Sequence, residues 1–163
     1  MEGFLGGFLG TILGFLGVAL AIITPGIGSS VGVGLVGRSG AGVITEDPDK
    51  FGSILLLEAI PGTQGVYGFL TGLMIMIRIG ALGGGLRALT VGQGILFIMA
   101  AMPIAVVGWV SAIFQGRVAA AGVGIVAKRP EEMGKAVILA AMVETYAVLS
   151  LLASLLLVFS VNV

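Results

Sequence analysis

The chain has 163 residues, of which 58% are hydrophobic and only 10% charged, with eight Lys/Arg balanced by eight Asp/Glu. A water-exposed domain needs roughly a quarter of its residues charged, so lipid must be the solvent for most of this surface. The sequence contains no His and no Cys, which excludes Ser-His-Asp triads, thiol nucleophiles, disulfides and zinc or iron–sulfur centres built on those side chains. Zero net charge without a basic block excludes a nucleic-acid footprint.

The first apolar run meets no charge between Glu2 and Arg38, and residues 3–42 contain thirteen glycines. A charged turn follows at 46–50, Glu46-Asp47-Pro48-Asp49-Lys50. The second run, 51–77, is apolar apart from Glu58, and Arg78 and Arg87 bracket a glycine-rich loop at 80–86. The third run, 88–127, is interrupted only by Arg117 and carries six glycines and nine alanines. A second charged turn at 128–135 leads into the fourth run, 136–163, whose one charge is Glu144. About 20 apolar residues cross a bilayer as a helix, so the pattern predicts an all-α membrane protein of four transmembrane helices. Continuous runs exclude a β-barrel, whose strands alternate. An even number of crossings puts both termini and the glycine loop on one side. The other side holds Arg38, Lys50, Arg117, Lys128, Arg129 and Lys135 against Arg78 and Arg87 opposite, so the positive-inside rule makes the two charged turns cytoplasmic and both termini external.

Sliding the sequence on itself by 82 residues aligns Pro48 with Pro130 and matches twelve of 41 pairs between residues 26–66 and 108–148, among them Ser29 with Ser111 and Thr63 with Thr145. The chain therefore reads as two tandem-duplicated helical hairpins, 1–82 and 83–163, the second carrying Glu144. Each unit crosses twice, so the repeats are parallel, unlike the inverted repeats of many transporters. Small residues allow close helix approach in membranes; helices 1 and 3 are expected to form a crowded inner layer of a homo-oligomer, and helices 2 and 4 an outer, lipid-facing one. Gly32-Val-Gly34-Leu-Val-Gly37 matches the dinucleotide GxGxxG pattern but lacks the strand–turn–helix context that gives it meaning.

Glu144 lies nine residues past Lys135, about 13 Å into its helix at 1.5 Å per residue. An intramembrane carboxylate costs several kcal/mol unless compensated, which makes it a functional residue by default. Folding helices 3 and 4 back about the 129–130 turn brings Gln115 level with Glu144. The repeat places Gly62 at the same depth, and with it Thr63, Gln64 and Tyr67. Pro61 disturbs the helix ladder there and can free a carbonyl such as that of Ile60. Helix 1 offers only Val31, Gly32 and Val33 at this level and is expected to add nothing. An all-oxygen set with one negative charge suits a hard monovalent cation, Na+. A proton needs the carboxylate alone, and the alternative is a protonated Glu144 to which the glutamines merely hydrogen-bond. Glu58, one turn toward the cytoplasm from Gly62, is not assigned as a ligand. A small four-helix cation or drug exchanger would also use one membrane Glu, but is expected to surround it with aromatics. A purely structural pore-forming proteolipid has no use for a level set of oxygens.

Ile60-Pro-Gly-Thr-Gln-Gly-Val-Tyr-Gly68, Gln115-Gly-Arg-Val-Ala-Ala-Ala-Gly122 and Ala140-Ala-Met-Val-Glu-Thr-Tyr146 closely resemble the duplicated c-type rotor proteolipids of V-type rotary ATPases, nearest the Na+-transporting bacterial members. The resemblance runs over nearly the whole chain. It implies a non-catalytic subunit that forms a homo-oligomeric rotor ring in the cell membrane. The ring turns against a stator membrane subunit with an essential Arg and is linked by a central-stalk subunit to an ATP-hydrolysing head. It further implies that Glu144 binds the transported ion, Na+ or alternatively H+. The Ile60 carbonyl, Thr63, Gln64 and Gln115 would complete the Na+ shell, with Tyr67 hydrogen-bonded to the Glu. The glycine-rich first helix and Glu58 depart from that pattern.

Overall fold

A chain in hydrocarbon must satisfy its backbone internally, and each apolar run does so as a helix. The computed structural model describes the backbone of residues 2–163 and the side chains of residues 6–163. Helix α1 spans Glu2–Glu46, α2 Pro48–Arg78, α3 Val91–Lys128 and α4 Pro130–Ser160. All four are long and apolar enough to cross a membrane, and no strand occurs among the described residues. With 45 residues, α1 is about 67 Å long, more than twice the hydrocarbon thickness of about 30 Å.

The helix starts differ from the apolar runs where capping chemistry intervenes. The third helix begins at Val91 rather than at residue 88, because Thr90 caps it. The Thr90 hydroxyl accepts from the Gln93 amide at 3.2 Å, and the Gln93 side-chain oxygen accepts from the Thr90 N–H at 2.8 Å. The fourth begins at Pro130, ahead of residue 136, and the second at Pro48. Each proline opens a 3₁₀ turn, its ring pre-setting φ where its missing N–H is not needed.

The bundle's two ends are tied separately. At one end, Lys50 pairs with Asp47 at 3.1 Å and donates to the Ala127 carbonyl at 2.7 Å, joining the two charged turns. At the other, the loop after α2 is closed by Arg87 N–H to the Ile79 carbonyl at 3.0 Å. That loop needs glycine at position 80, which has φ +77°, and a Cβ there would meet the Gly85 carbonyl at 2.3 Å. Arg78 and Arg87 donate to the carbonyls of Val161 and Val163, the latter at 2.5 Å. The C-terminus and the glycine loop thus share one end, as the even number of crossings requires.

Helix α1 packs on α3 and on the C-terminal half of α2, while α3 and α2 both pack on α4. Glycine makes the α1–α3 approach possible. A Cβ on Gly28 would stand 2.4 Å from the Trp109 carbonyl, one on Gly32 2.5 Å from the Ala112 carbonyl, and one on Gly116 2.3 Å from Gly32 Cα. The crowding of helices 1 and 3 read from composition is therefore backbone-on-backbone contact.

Three prolines break the ladder inside the bundle. Pro25 leaves the Ala21 carbonyl without its i+4 donor, and that oxygen lies against Gly68, where a Cβ would come within 2.3 Å. Pro61 produces a 3₁₀ turn at Ile60–Gly62. Past Pro103, α3 widens into a π turn at Ile104–Gly108, and the Ile104 N–H donates instead to the Ser154 hydroxyl on α4 at 3.1 Å.

The core is apolar at both ends and polar between them. One cluster holds Val18, Ala21, Ile75, Phe97, Ile104 and Val158; the other holds Val36, Leu57, Val123, Val126 and Ala136. On every helix the sequence between these clusters carries the buried polar residues: Ser29, Gln64 and Thr71, Ser111 and Gln115, Ser150 and Ser154. That belt positions the site.

Candidate functional site

Glu144 is near the middle of α4, at the level of the belt, half-buried on the outer side of the bundle. It lines an open cleft with Tyr67, Ala141, Thr145, Val148 and Leu149. Both carboxylate oxygens are engaged. The Tyr67 hydroxyl donates to Oε1 at 2.5 Å, and Gln115 Nε2 donates to Oε2 at 3.3 Å. In a medium without water, those two donors are what the protein offers a charged carboxylate.

Behind the carboxylate the predicted residues form one chain of hydrogen bonds. Gln115 Nε2 also reaches the Ala140 carbonyl at 3.2 Å, and Gln115 Oε1 accepts from Gln64 Nε2 at 2.5 Å. Gln64 Nε2 lies 3.4 Å from the Ser111 hydroxyl, and Gln64 Oε1 lies 3.4 Å from the Thr63 hydroxyl. Thr63 in turn donates to the Ile60 carbonyl at 3.0 Å. The structure thus brings together Ile60, Thr63, Gln64, Tyr67, Gln115 and Glu144. Among the described residues, Tyr67 and Gln115 are the ones whose side chains hydrogen-bond the carboxylate directly. Gln64 and Gln115 are both 0% exposed, so each is an amide removed entirely from solvent and lipid, tolerable only because its polar atoms are matched.

The 3₁₀ turn explains how α2 presents its oxygens. Pro61 has no N–H for the Leu57 carbonyl, and tightening at Ile60–Gly62 turns the Ile60 carbonyl toward the Thr63 hydroxyl. Thr63, Gln64 and Tyr67 then follow within one turn, Thr63 and Tyr67 at the i, i+4 spacing that shares a face.

Two serines of the belt were not singled out from the sequence as site residues. Ser111 donates to the Val143 carbonyl at 3.1 Å beside Gln64. Ser29, its counterpart 82 residues earlier, accepts from the Gly65 N–H at 2.8 Å. Helix α1 therefore does contribute at this level, contrary to the reading from Val31, Gly32 and Val33. Ser29 anchors the start of the α2 segment that carries Gln64 and Tyr67. The signal was present: serine is among the positions that repeat in register. Glu58 sits one layer away, with its carboxylate against Gly37. Among the described residues the ion pairs are Lys50–Asp47 and Lys135–Glu132, and Glu58 is in neither.

Comparison with known proteins agrees with this organisation. A family model for the C subunit of ATP synthase matches residues 16–75 and again residues 98–157, the second match beginning and ending 82 residues after the first. The V-type sodium ATPase subunit K of Enterococcus hirae is 46% identical over 151 residues, covering 93% of each chain. The A-type ATP synthase subunit K of Methanocaldococcus jannaschii is 41% identical over 150 residues, or 92% of this chain and 63% of that longer protein.

Proposed function

The chain belongs to the ATP synthase C-subunit family in doubled form, and from that premise we propose that it is the ion-carrying rotor subunit of a V-type Na+-transporting ATPase, with Glu144 as the ion-binding group. It is a multi-pass membrane protein and a non-catalytic subunit; ATP hydrolysis belongs to other subunits of such an enzyme. The observation that carries the reading is the mid-membrane carboxylate backed by two fully buried amides, a hydroxyl and a carbonyl in one connected network.

In this reading Glu144, Gln64, Gln115, Thr63 and the Ile60 carbonyl supply the oxygens for Na+, the transported substrate, while Tyr67 holds the carboxylate in place. A half-turn of the Gln115 amide exchanges its nitrogen for its oxygen on the Glu144 side, so the same side chain can hydrogen-bond the carboxylate or face a cation beside it. A cation-neutralised Glu144 can cross the lipid as the ring turns, whereas a bare carboxylate there costs several kcal/mol. Opposite a stator arginine, the carboxylate gains a fixed positive partner and the ion loses its counter-charge, which releases it into water. The open cleft at Glu144 faces outward, where such a partner would pass.

The units we propose are 1–82, which supplies Ile60, Thr63, Gln64 and Tyr67, and 83–163, which supplies Gln115 and Glu144. The charged turns face the cytoplasm and both termini the outside, on the positive-inside argument. The cleft beside Glu144 has one aromatic, Tyr67, which argues against an exchanger of bulky cations.

Carbodiimide labelling tests the ion. The reagent attacks the protonated acid, and bound Na+ favours the charged one, so Na+ should protect Glu144, with protection strengthening as pH rises. Equal labelling with and without Na+ between about pH 6 and 9 would identify a proton carrier.

A further inference from the structure

Helix α3 changes its winding just before it reaches the ion site. Pro103 lacks the N–H that would close an α turn onto Met99, and Ile104–Gly108 are wound as a π turn. The helix returns to α geometry at Trp109. Ser111 and Gln115, one turn apart, then face Gln64 and α4. A π turn holds about one more residue than an α turn. Rewinding it as α would rotate everything beyond it by about 100° relative to everything before it. The part before is fixed by Phe97, Ala101 and Ile104 in the apolar cluster. The part beyond is fixed by Gly116 on Gly32. Both alignments hold at once only with the π turn between them, so the turn sets where Gln115 points.

Two hydroxyls from other helices hold that turn. Ser154 on α4 is 0% exposed and accepts from the Ile104 N–H at 3.1 Å. Within α3 that N–H reaches the Ala101 carbonyl, three residues back, rather than the Ala100 carbonyl that regular winding would give it. Thr24 on α1 donates to the Ala105 carbonyl at 2.8 Å while lying 2.9 Å from the Leu20 carbonyl of its own helix.

The first hairpin shows what happens without such a clamp. Moved back 82 positions, Ile104 and Ser154 become Ile22 and Gly72. That pair also meets: a Cβ on Gly72 would stand 2.6 Å from Ile22 Cγ1. An isoleucine side chain fills the place of the hydroxyl, and α1 runs through residues 22–26 as unbroken α-helix. The position matching Gln115 is Val33, which has no polar group to aim. The buried hydroxyl and the π turn occur together, in the hairpin that carries the site's amide.

Resting on the reading of Glu144 as the Na+ site, we propose that Ser154 and Thr24 are positioning residues for that site, acting through the π turn on Gln115. Neither hydrogen-bonds the carboxylate. Ser154 is ten residues from Glu144, or about 15 Å along α4.

Equilibrium 22Na+ titration of the purified protein in mild detergent tests this role. Ser154→Ala and Thr24→Val each remove one hydroxyl and should weaken Na+ binding about three- to tenfold. Thr24→Ser keeps the hydroxyl and should bind as the unsubstituted protein does. Built into Gln115→Ala, Ser154→Ala or Thr24→Val should cost less than about twofold more, because the side chain being aimed is gone. Elution with the unsubstituted protein establishes that each variant is folded, and the Thr24 variants carry the test if Ser154→Ala fails that check. Full affinity in Ser154→Ala and Thr24→Val, an equal loss in Thr24→Ser, or an undiminished loss in the Gln115→Ala background overturns the positioning role and leaves the Na+ site standing. Unsubstituted protein that binds no Na+ overturns both.

Discussion

The two hairpins share a fold but not a chemistry. Aligned by the repeat, Glu144 corresponds to Gly62, Gln115 to Val33, Gln64 to Tyr146 and Tyr67 to Leu149; Thr63 alone keeps its type, at Thr145. Duplication has therefore not yielded two copies of a site. It has let one hairpin supply the carboxylate and Gln115 while the other supplies Gln64, Thr63 and Tyr67, meeting across the α2–α3 and α2–α4 contacts. Thr145 apart, the positions corresponding to these residues carry apolar side chains, a glycine and an outward tyrosine. Scaffold positions, by contrast, kept their identity: Pro48 and Pro130, Ser29 and Ser111, and the glycines at 34 and 116, 40 and 122.

That asymmetry can be broken most severely at Glu144. Glu144→Gln removes the charge that neutralises a cation and should abolish 22Na+ binding to the purified protein, while Tyr67 and Gln115 retain a polar partner and the fold persists. The mirror-image change, Gly62→Glu, should add no second ion. A Cβ at position 62 has room, its nearest neighbour being Val33 Cγ2 at 3.8 Å, but Val33 stands where Gln115 serves Glu144. Na+ bound per chain should not rise, and two ions per chain would mean that the carboxylate alone makes the site.

Smaller effects separate the ligands from their supports. Gln115→Ala and Gln64→Ala each leave a buried partner unmatched, which costs about 1–3 kcal/mol, or roughly a 5- to 150-fold weaker Na+ affinity if the whole loss falls on binding. Thr63→Ala should weaken binding less, since its hydroxyl meets the network at 3.4 Å. Glu58→Gln, one layer away against Gly37, should leave affinity unchanged. An equal loss from Glu58→Gln and Gln115→Ala, measured by 22Na+ titration, would place Glu58 in the shell.

Packing of the hairpins should respond unequally as well. Gly116→Ala drives a methyl group into the Gly32 backbone and should destabilise the folded chain by about 1–3 kcal/mol, as overpacking does. Gly34→Ala has open space within the chain and should leave intrachain packing unaltered; thermal unfolding in detergent compares the two. The mildest change is a cysteine at Asp49 or Glu131, both exposed in the charged turns. Neither should alter ion binding, and both should react with an impermeant thiol reagent from the same, cytoplasmic side. Reaction from opposite sides would contradict parallel hairpins.

Much of the fold was legible in the sequence, because lipid permits few solutions. Apolar runs without charge must be helices, their number and spacing follow from where Pro48, Pro130 and the glycine loop interrupt them, and the repeat is a matter of register. The depth of Glu144 and its level with Gln115, Gln64 and Thr63 followed from counting residues from the turns. What counting could not reach was direction. Depth does not say which oxygens of a level set touch, and only the packed bundle makes Tyr67 and Gln115 the direct partners of Glu144, with Thr63 and Ile60 behind them. It also could not see Ser29 and Ser111 as partners, because a serine's role depends on which backbone comes within about 3 Å of it. Nor could composition distinguish Gly116 from Gly34, both glycines in a small-residue helix. One touches the backbone of α1 and the other faces outward, a distinction made by the rotation of each helix about its axis, which only the packing of all four decides.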